Sequence, residues 1–235
     1  MFYKIKPLDT LFFRDGRPFT MGAETWANSI FPPYPSTIYG AIRTWLIFEK
    51  GGLKEFEGGK FKEELGIPHE KGSLKIKGSF VALDDVLYFP CPKDLFKRKD
   101  KKEKRLHTIN LTRKPQAFVS EYSLENVLIN KEEFKLDDVD GFIDINSLKD
   151  YLKNNEKSLE YTKKEEFFMQ EKKTGIKRSR KTLSSEENYL YRISLIRLKK
   201  EVSLFVETEG LSNYPEYGVI QIGGESKTAR IEKYN

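Results

Sequence analysis

The sequence holds one cysteine, Cys91, and two histidines, His69 and His107, in 235 residues. That excludes an intrachain disulfide, and no Cys/His cluster can assemble a zinc site. A Ser-His or Cys-His nucleophile has little to draw on, because it needs a base within reach. No apolar run approaches bilayer-spanning length, and residues 1–6 show neither an apolar signal core nor a cleavage site. These absences point to a cytoplasmic, reducing compartment with no membrane partner. A P-loop is also missing: Gly223-Gly224-Glu225-Ser226-Lys227-Thr228 has the Lys-Thr pair without the spaced leading glycine. No cofactor is expected.

What is present is cationic and aromatic. Charged residues make up 33% of the chain, the net charge is +6, and there are 17 Phe and 12 Tyr. The aromatic content supports a packed core rather than disorder, and the basic balance leans toward a polyanionic partner.

Residues 8–46 organise the rest. Leu11-Phe12-Phe13 is apolar and turns polar at Arg14-Asp15-Gly16-Arg17, where Asp15-Gly16 is a turn dipeptide that holds Arg14 and Arg17 outward. Phe31-Pro32-Pro33-Tyr34-Pro35 fixes an extended path. Ser36 follows as an N-cap candidate, and Ile38, Ile42, Trp45 and Leu46 recur at helical spacing to about residue 48, with Gly51-Gly52 as the stop. The free N–H groups of such a helix start suit phosphate. Taken separately, these pieces also describe a surface turn, a Pro-rich connection and an amphipathic helix.

Alternation predicts strands at residues 2–8, 74–83 and 86–89, the last two forming a hairpin across Asp84-Asp85. Leu53 to Leu65 reads as a weak helix broken at Gly58-Gly59, and Asp144 or Asn146 caps a helix through Leu152 that ends at Asn154-Asn155. Residues 165–173 read as a strand. Residues 189–198 and 202–206 read as a second hairpin across Lys199-Lys200-Glu201. Residues 217–222 run apolar into Gly223-Gly224, a loop whose glycines admit close backbone approach and an anion-cradling nest; a final short strand follows. Cys91 reads as a small buried side chain. The order predicts an α+β fold with an antiparallel sheet and helices on one face, of ferredoxin-like type with long insertions.

Two basic concentrations stand out. Residues 97–105 read as a solvated, mobile excursion that can still clamp a phosphate backbone. Residues 174–184 read as a loop carrying Lys177, Arg178, Arg180 and Lys181 among hydroxyls. Asp137, Asp138 and Asp140 admit a two-metal site in principle but read as a solvated loop. His107 could serve a ribonuclease as general base or simply face solvent. Arginine pairs with phosphate and stacks on bases, so residues 14–17, 36–37, 177–182 and 223–230 are expected to converge on one RNA-binding face.

Leu11-Phe12-Phe13-Arg14-Asp15-Gly16-Arg17-Pro18-Phe19 and Phe31-Pro32-Pro33-Tyr34-Pro35-Ser36-Thr37-Ile38-Tyr39-Gly40-Ala41-Ile42-Arg43 resemble the RAMP-superfamily subunit of type III-B CRISPR (Cmr) effector complexes that caps the 5′ handle of the guide RNA. Thr174-Gly175-Ile176, Tyr189-Leu190-Tyr191-Arg192 and Gly223-Gly224-Glu225 agree with RAMP proteins more broadly. The resemblance implies a ferredoxin-like (RRM-like) fold and non-catalytic binding of the crRNA 5′ handle in antiviral defence. It also implies contact with the large polymerase-like subunit and the backbone RAMP subunits, and indirect contact with target RNA. By motif position it places Arg14, Asp15, Arg17, Ser36, Thr37 and Arg43 near RNA or the large subunit, and Gly223, Gly224 and Glu225 in the glycine-rich loop. Lys177, Arg178, Arg180, Lys181, Lys227 and Arg230 complete the expected RNA-binding set. The basic run at 97–105 would belong to a β-thumb insertion. The expected organisation is one RAMP domain over residues 1–235 with an irregular insertion at about 92–165. The family looks longer, so a second ferredoxin-like half is expected to be missing, by truncation or reduction. The alternative reading is a metal-independent repeat-RNA endoribonuclease that uses His107.

Overall fold

In a computed structural model the described residues are 1–18, 26–101, 103–130, 133–154, 159–182 and 184–234, without the side chains of 186–189. Asn155, Lys102, Leu183, Phe19 and the side chain of Tyr189, all used in the sequence reading, lie outside that description. The elements are β1 (Phe2–Pro7), β2 (Trp26–Ala27), α1 (Pro35–Lys50), α2 (Leu53–Glu57), α3 (Lys62–Leu65), β3 (Lys75–Leu83), β4 (Val86–Pro90), β5 (Leu95–Arg98), β6 (Leu106–Thr108), β7 (Leu111–Arg113), β8 (Asn126–Leu128), β9 (Leu136–Asp138), β10 (Gly141–Asp144), α4 (Ile145–Leu152), β11 (Thr162–Lys163), β12 (Phe168–Arg178), β13 (Ser185–Leu198), β14 (Val202–Glu209), β15 (Tyr217–Gln221) and β16 (Thr228–Tyr234). Strands dominate, almost all antiparallel, and helices are few. No described helix is long and apolar enough to cross a membrane. The chain divides into two units, residues 1–85 with 167–235, and residues 86–166.

In the first unit, five strands run in the order β3-β14-β1-β16-β15. β1 pairs antiparallel with β14 on one side and β16 on the other. Its alternation has a physical reason: Tyr3 and Ile5 are buried, and the ring of Trp45 from α1 stands edge-on to Tyr3 at 5.7 Å. Lys4 is also nearly buried on the other face, between the rings of Phe205 and Tyr234 and paired with Asp85. α1 buries Ile38, Ile42, Trp45 and Leu46, the stripe that its periodicity predicts. A β-carbon at Gly218 of β15 would stand 2.4 Å from the Trp45 indole nitrogen, so this glycine lets the helix sit down on the sheet.

The helix start differs from expectation. Tyr34 is the N-cap, with no side-chain cap bond, and Pro35 occupies the first turn, which places Ser36 inside the helix. Proline needs no N–H there and arrives with helical φ, so it takes the opening position ahead of serine. The helix from Leu53 breaks as its glycines suggest, into α2 and α3.

The second hairpin is also corrected. β13 pairs with β12, not with β14, and Lys199-Lys200-Glu201 carries the chain from a three-stranded sheet, β12-β13-β2, into the one that holds β14. Val202 to Val206 are buried without interruption. That pattern belongs to a central strand covered on both faces, and β14 accordingly has β1 and β3 as neighbours. β12 runs to Arg178, so the second basic concentration lies on a ribbon end rather than in a long loop.

The second unit is a set of short strands with α4. β10 pairs with β4 and β11, and β5 pairs with β6 and β9. Asp144 caps α4 by accepting from the N–H groups of Asn146 and Ser147. Cys91 is buried in the core with Leu95, Leu106, Ile143 and Leu159, and burial pushes its thiol pKa up to about 12. Lys97 and Arg98 of the basic run belong to β5. The run leaves β5 and re-enters β6, anchored by Leu95 and Leu106 at 2% exposure each.

In the first unit Glu64 of α3 ties three segments together. It pairs with Lys50 at 2.6 Å and accepts from the backbone N–H and hydroxyl of Ser212, each at 2.6 Å. Partial burial raises its pKa, but the bonds from Lys50 and Ser212 outweigh that and hold it down at about 2. A depressed carboxyl contributes stability above its unfolded pKa and loses it as pH falls through the folded one. Glu64→Gln is expected to lower the melting temperature at pH 7. The gap to the parent should close between pH 4.5 and about 2, as thermal melts across that range would read.

Candidate nucleic-acid interface

The first loop is built by pairing residues on either side of its tip. Leu11 exchanges both backbone hydrogen bonds with Ile196 of β13, at 2.7 and 2.8 Å. Asp15 N–H donates to the Asn28 carbonyl at 3.0 Å and Ile30 N–H to the Phe13 carbonyl at 2.9 Å. Phe12 and Phe13 are buried by this arrangement and Arg14 is exposed. At the tip the Arg14 guanidinium donates to the Arg17 carbonyl at 3.1 Å. The Arg17 side chain is 78% exposed, with the Asp15 carboxylate 3.6 Å away.

The glycine-rich loop reaches this segment from the far end of the chain. Gly223 has φ +74, and Glu225 and Ser226 also have positive φ, so the loop folds back tightly. Gly224 N–H donates to the Phe12 carbonyl at 2.8 Å. A β-carbon on Gly223 would lie 2.4 Å from that same carbonyl oxygen, and one on Gly224 2.9 Å from the Phe12 ring. The close backbone approach expected of these glycines is thus made to the first loop itself.

The first loop, α1 and the glycine-rich loop enclose a groove of about 430 Å³. Phe12, Phe13 and Arg14 form one wall, Ser36, Thr37, Gly40 and Thr44 of α1 a second, and Gln221, Gly223 and Gly224 the third. Among the described residues Arg14 is the only charged residue lining it. The first turn of α1 holds no acidic residue, so the positive end of the helix dipole is uncompensated by side chains of that turn. Pro35 has no N–H, and Thr37 N–H is bonded to the Tyr34 carbonyl at 3.0 Å. The Ser36 N–H and the hydroxyls of Ser36, Thr37 and Thr44 remain as first-turn and groove-wall donors. A site with one arginine, several hydroxyls, a helix start and the exposed Tyr34 ring can hold an anion beside a flat group.

Of the expected residues, Arg14, Ser36, Thr37, Gly223 and Gly224 meet in this groove, with Asp15 and Arg17 at the adjoining tip. Arg43 turns elsewhere. Its guanidinium donates to the carbonyls of Leu65, Ile67 and Glu70 at 2.7, 2.8 and 3.2 Å and lies over the Phe56 ring. Lys227 donates to Asp9 at 3.2 Å, and Asp9 also accepts from Arg197. The Thr10 backbone N–H, then Lys227, holds the Asp9 pKa down at about 2. Glu225 stands 3.9 Å from Lys173 of β12. Arg180 and Lys181 lie in the turn that closes the β12-β13 ribbon beyond Arg178, and neither lines the groove. Lys177 and Arg178 sit on the same ribbon end. Arg230 is exposed on β16, opposite Lys6 and Val219.

In the second unit, Asp137 and Asp138 belong to β9 rather than to a loop, and Asp140 pairs with Lys164. Among the described residues no group of three or more metal-ligating side chains assembles. His107 packs edge-on to Phe134 at 5.0 Å, with its Nε2 buried and 3.7 Å from Glu103.

The sequence reading did not single out Gly40, Thr44 and Gln221. The signal was available: 36, 37, 40 and 44 share a helix face, and Gln221 alternates with Gly223 at the end of a strand.

Two substitutions separate scaffold from surface. Gly223→Ala puts a side chain into the Phe12 carbonyl at a positive φ, and is expected to cost more than about 1 kcal/mol by denaturant unfolding. Arg43→Met removes charged donors from three carbonyls and is expected to cost about 2–3 kcal/mol. If Arg43 acts only within the fold, RNA affinity of the folded fraction stays unchanged in Arg43→Met.

Residues 3–235 match the family described as CRISPR-associated protein (Cas_Cmr3). The chain is similar to the CRISPR system CMR subunit Cmr3 of Saccharolobus solfataricus, at 25% identity over 233 residues, 97% of this chain and 62% of the relative. It superposes with TM-score 0.58 and 18% identity on a chain of the type III-B Cmr-beta complex bound to cognate target RNA and AMPPnP, covering all of this chain and 63% of the other. A chain of the same complex bound to cognate target RNA gives the same TM-score and identity, with 64% of its length covered. This chain spans less than two thirds of the length of each of these relatives. The match from residue 3 to residue 235, together with the fold, establishes that the chain belongs to the Cas_Cmr3 family of CRISPR-associated proteins.

Proposed function

We propose that this chain is a non-catalytic, RNA-binding subunit of a type III-B Cmr complex in antiviral defence, and that its groove receives the 5′ handle of the guide RNA. The observation that carries the reading is that residues 12–14, 36–44 and 221–224, far apart in sequence, line one groove whose only charged residue among those described is Arg14. Arg14 supplies a planar guanidinium for phosphate. The start of α1 adds N–H and hydroxyl donors in a positive field. Tyr34, 63% exposed, offers a face for an unpaired base. Arg17 and Asp15 at the tip are the side chains for the large polymerase-like subunit or the next phosphate. The ribbon end with Lys177, Arg178, Arg180 and Lys181 gives a second basic contact along the same RNA or on a neighbouring backbone subunit.

On this reading the strands β3-β14-β1-β16-β15 with α1 form the RAMP ferredoxin-like domain, with an irregular insertion at about 92–165. The complex works in the cytoplasm, and target RNA is reached only through the guide. The packing of His107 against Phe134 supports a structural role for that residue over repeat cleavage.

Fluorescence anisotropy with a labelled single-stranded repeat handle, titrated against salt, tests the proposal. Arg14→Ala is expected to weaken binding about tenfold and to reduce the salt slope by about 0.7 for each phosphate that the arginine neutralises. Equal binding of handle and scrambled RNA, with the Arg14→Ala slope unchanged, would count against the groove. Repeat RNA incubated with the protein without metal should stay intact; cleavage that disappears in His107→Ala would instead establish the nuclease reading.

A further inference from the structure

The sheet β12-β13-β2 has two faces of different character. Cross-strand partners share a face, so Thr174, Arg192 and Trp26 lie together on one side with the even-numbered residues of β12 and β13. The opposite face carries Glu171, Lys173 and Arg197. There each cation has a carboxylate: Arg197 pairs with Glu171 and Asp9, and Lys173 with Glu225. On the Trp26 side, among the described residues, Lys172 and Arg192 have an aromatic ring instead. Lys172 Nζ stands 5.7 Å and the Arg192 guanidinium carbon 5.0 Å from the indole centroid. From Phe168 to Ile176 and from Leu190 to Leu198, no residue of that face bears a carboxylate. Trp26 is 43% exposed, and the neighbouring pair Ile176 and Leu190 is 51% and 40% exposed.

We infer that this face is a second, separate binding site for unpaired nucleotides of single-stranded RNA, with Trp26 as the stacking platform and Lys172 and Arg192 as the phosphate contacts. Cations over an indole, on a face whose residues from Phe168 to Ile176 and from Leu190 to Leu198 bear no carboxylate, attract a ligand that brings both negative charge and a flat ring, which a single strand does at every nucleotide. A protein partner would have to supply carboxylates at two matched positions as well as an apolar surface. Lys172 to Ile176 extends about 13 Å along the strand, room for more than one nucleotide. The inference rests on the RNA-binding reading above but concerns a surface distinct from the groove.

The chain has two tryptophans, and Trp45 is buried at 5% exposure, so acrylamide quenching reports chiefly on Trp26. Quenching is measured on the full chain with a single-stranded RNA oligonucleotide and with a matched duplex, while anisotropy of labelled RNA follows binding independently. Single strands at saturation are expected to reduce the quenching of Trp26 about threefold or more, and duplex RNA to leave it accessible. Trp26→Leu is expected to weaken single-strand binding about 5- to 100-fold. Lys172→Gln with Arg192→Gln, which keeps the ring and so controls for folding, should flatten the salt dependence. RNA that binds by anisotropy while Trp26 stays equally accessible overturns this inference and leaves the groove standing. Absence of RNA binding altogether overturns both. Shielding of Trp26 in a purified complex that persists after nuclease treatment makes the face a protein interface and overturns the inference as well.

Discussion

The hydrogen bond from Gly224 to the Phe12 carbonyl joins two segments more than two hundred residues apart. The rest of the interface depends on that junction. Without a side chain at Gly223 or Gly224, the late loop can lie against the early one. Once it does, Arg14 on one side and Gln221 on the other are held against the same face of α1. The groove is therefore a tertiary product. No single segment forms it, and each of its walls is anchored by a different sheet or helix.

Charge follows the same logic. Many of this protein's cations are matched to carboxylates in the fold, such as Lys227 and Arg197 with Asp9, and Lys50 with Glu64. Among these the exposed pair of Arg197 with Asp9 adds little stability. The larger effect of these pairs is on electrostatics, because they remove those residues from the pool that can meet a polyanion. Beside Trp26 the arrangement differs: Lys172 and Arg192 meet an indole, on a face whose residues from Phe168 to Ile176 and from Leu190 to Leu198 bear no carboxylate. Net charge alone does not distinguish these positions from the paired ones.

Much of this is readable in the residues. Local rules carry β1, α1, the break between α2 and α3, the Asp144 cap and the final strand pair, because each depends on nearest neighbours. The failures have a common cause. Residues 189–198 and 202–206 look like a hairpin when only alternation and a short turn are weighed, yet β14 needs partners on both sides and β13 belongs to another sheet. Ser36 looks like a cap until the advantage of proline in the opening turn is counted. Arg43 sits on the helix that lines the groove, but carbonyls in the segment from Leu65 to Glu70 hold it, an arrangement set by the path of the chain after α3. Which cations meet a carboxylate is decided by strand register, which composition does not encode.

The central claim is that the early loop, the start of α1 and the late glycine loop touch RNA together. Photo-crosslinking with 4-thiouridine placed along the guide's 5′ handle, followed by mass spectrometry of the adducts, tests it most directly. The account predicts adducts from one nucleotide, or from neighbouring ones, on peptides containing Phe12 to Arg14, Ser36 to Thr44 and Gln221 to Gly224. Crosslinks confined to the basic run at 97–105, with none on these three peptides, would contradict it.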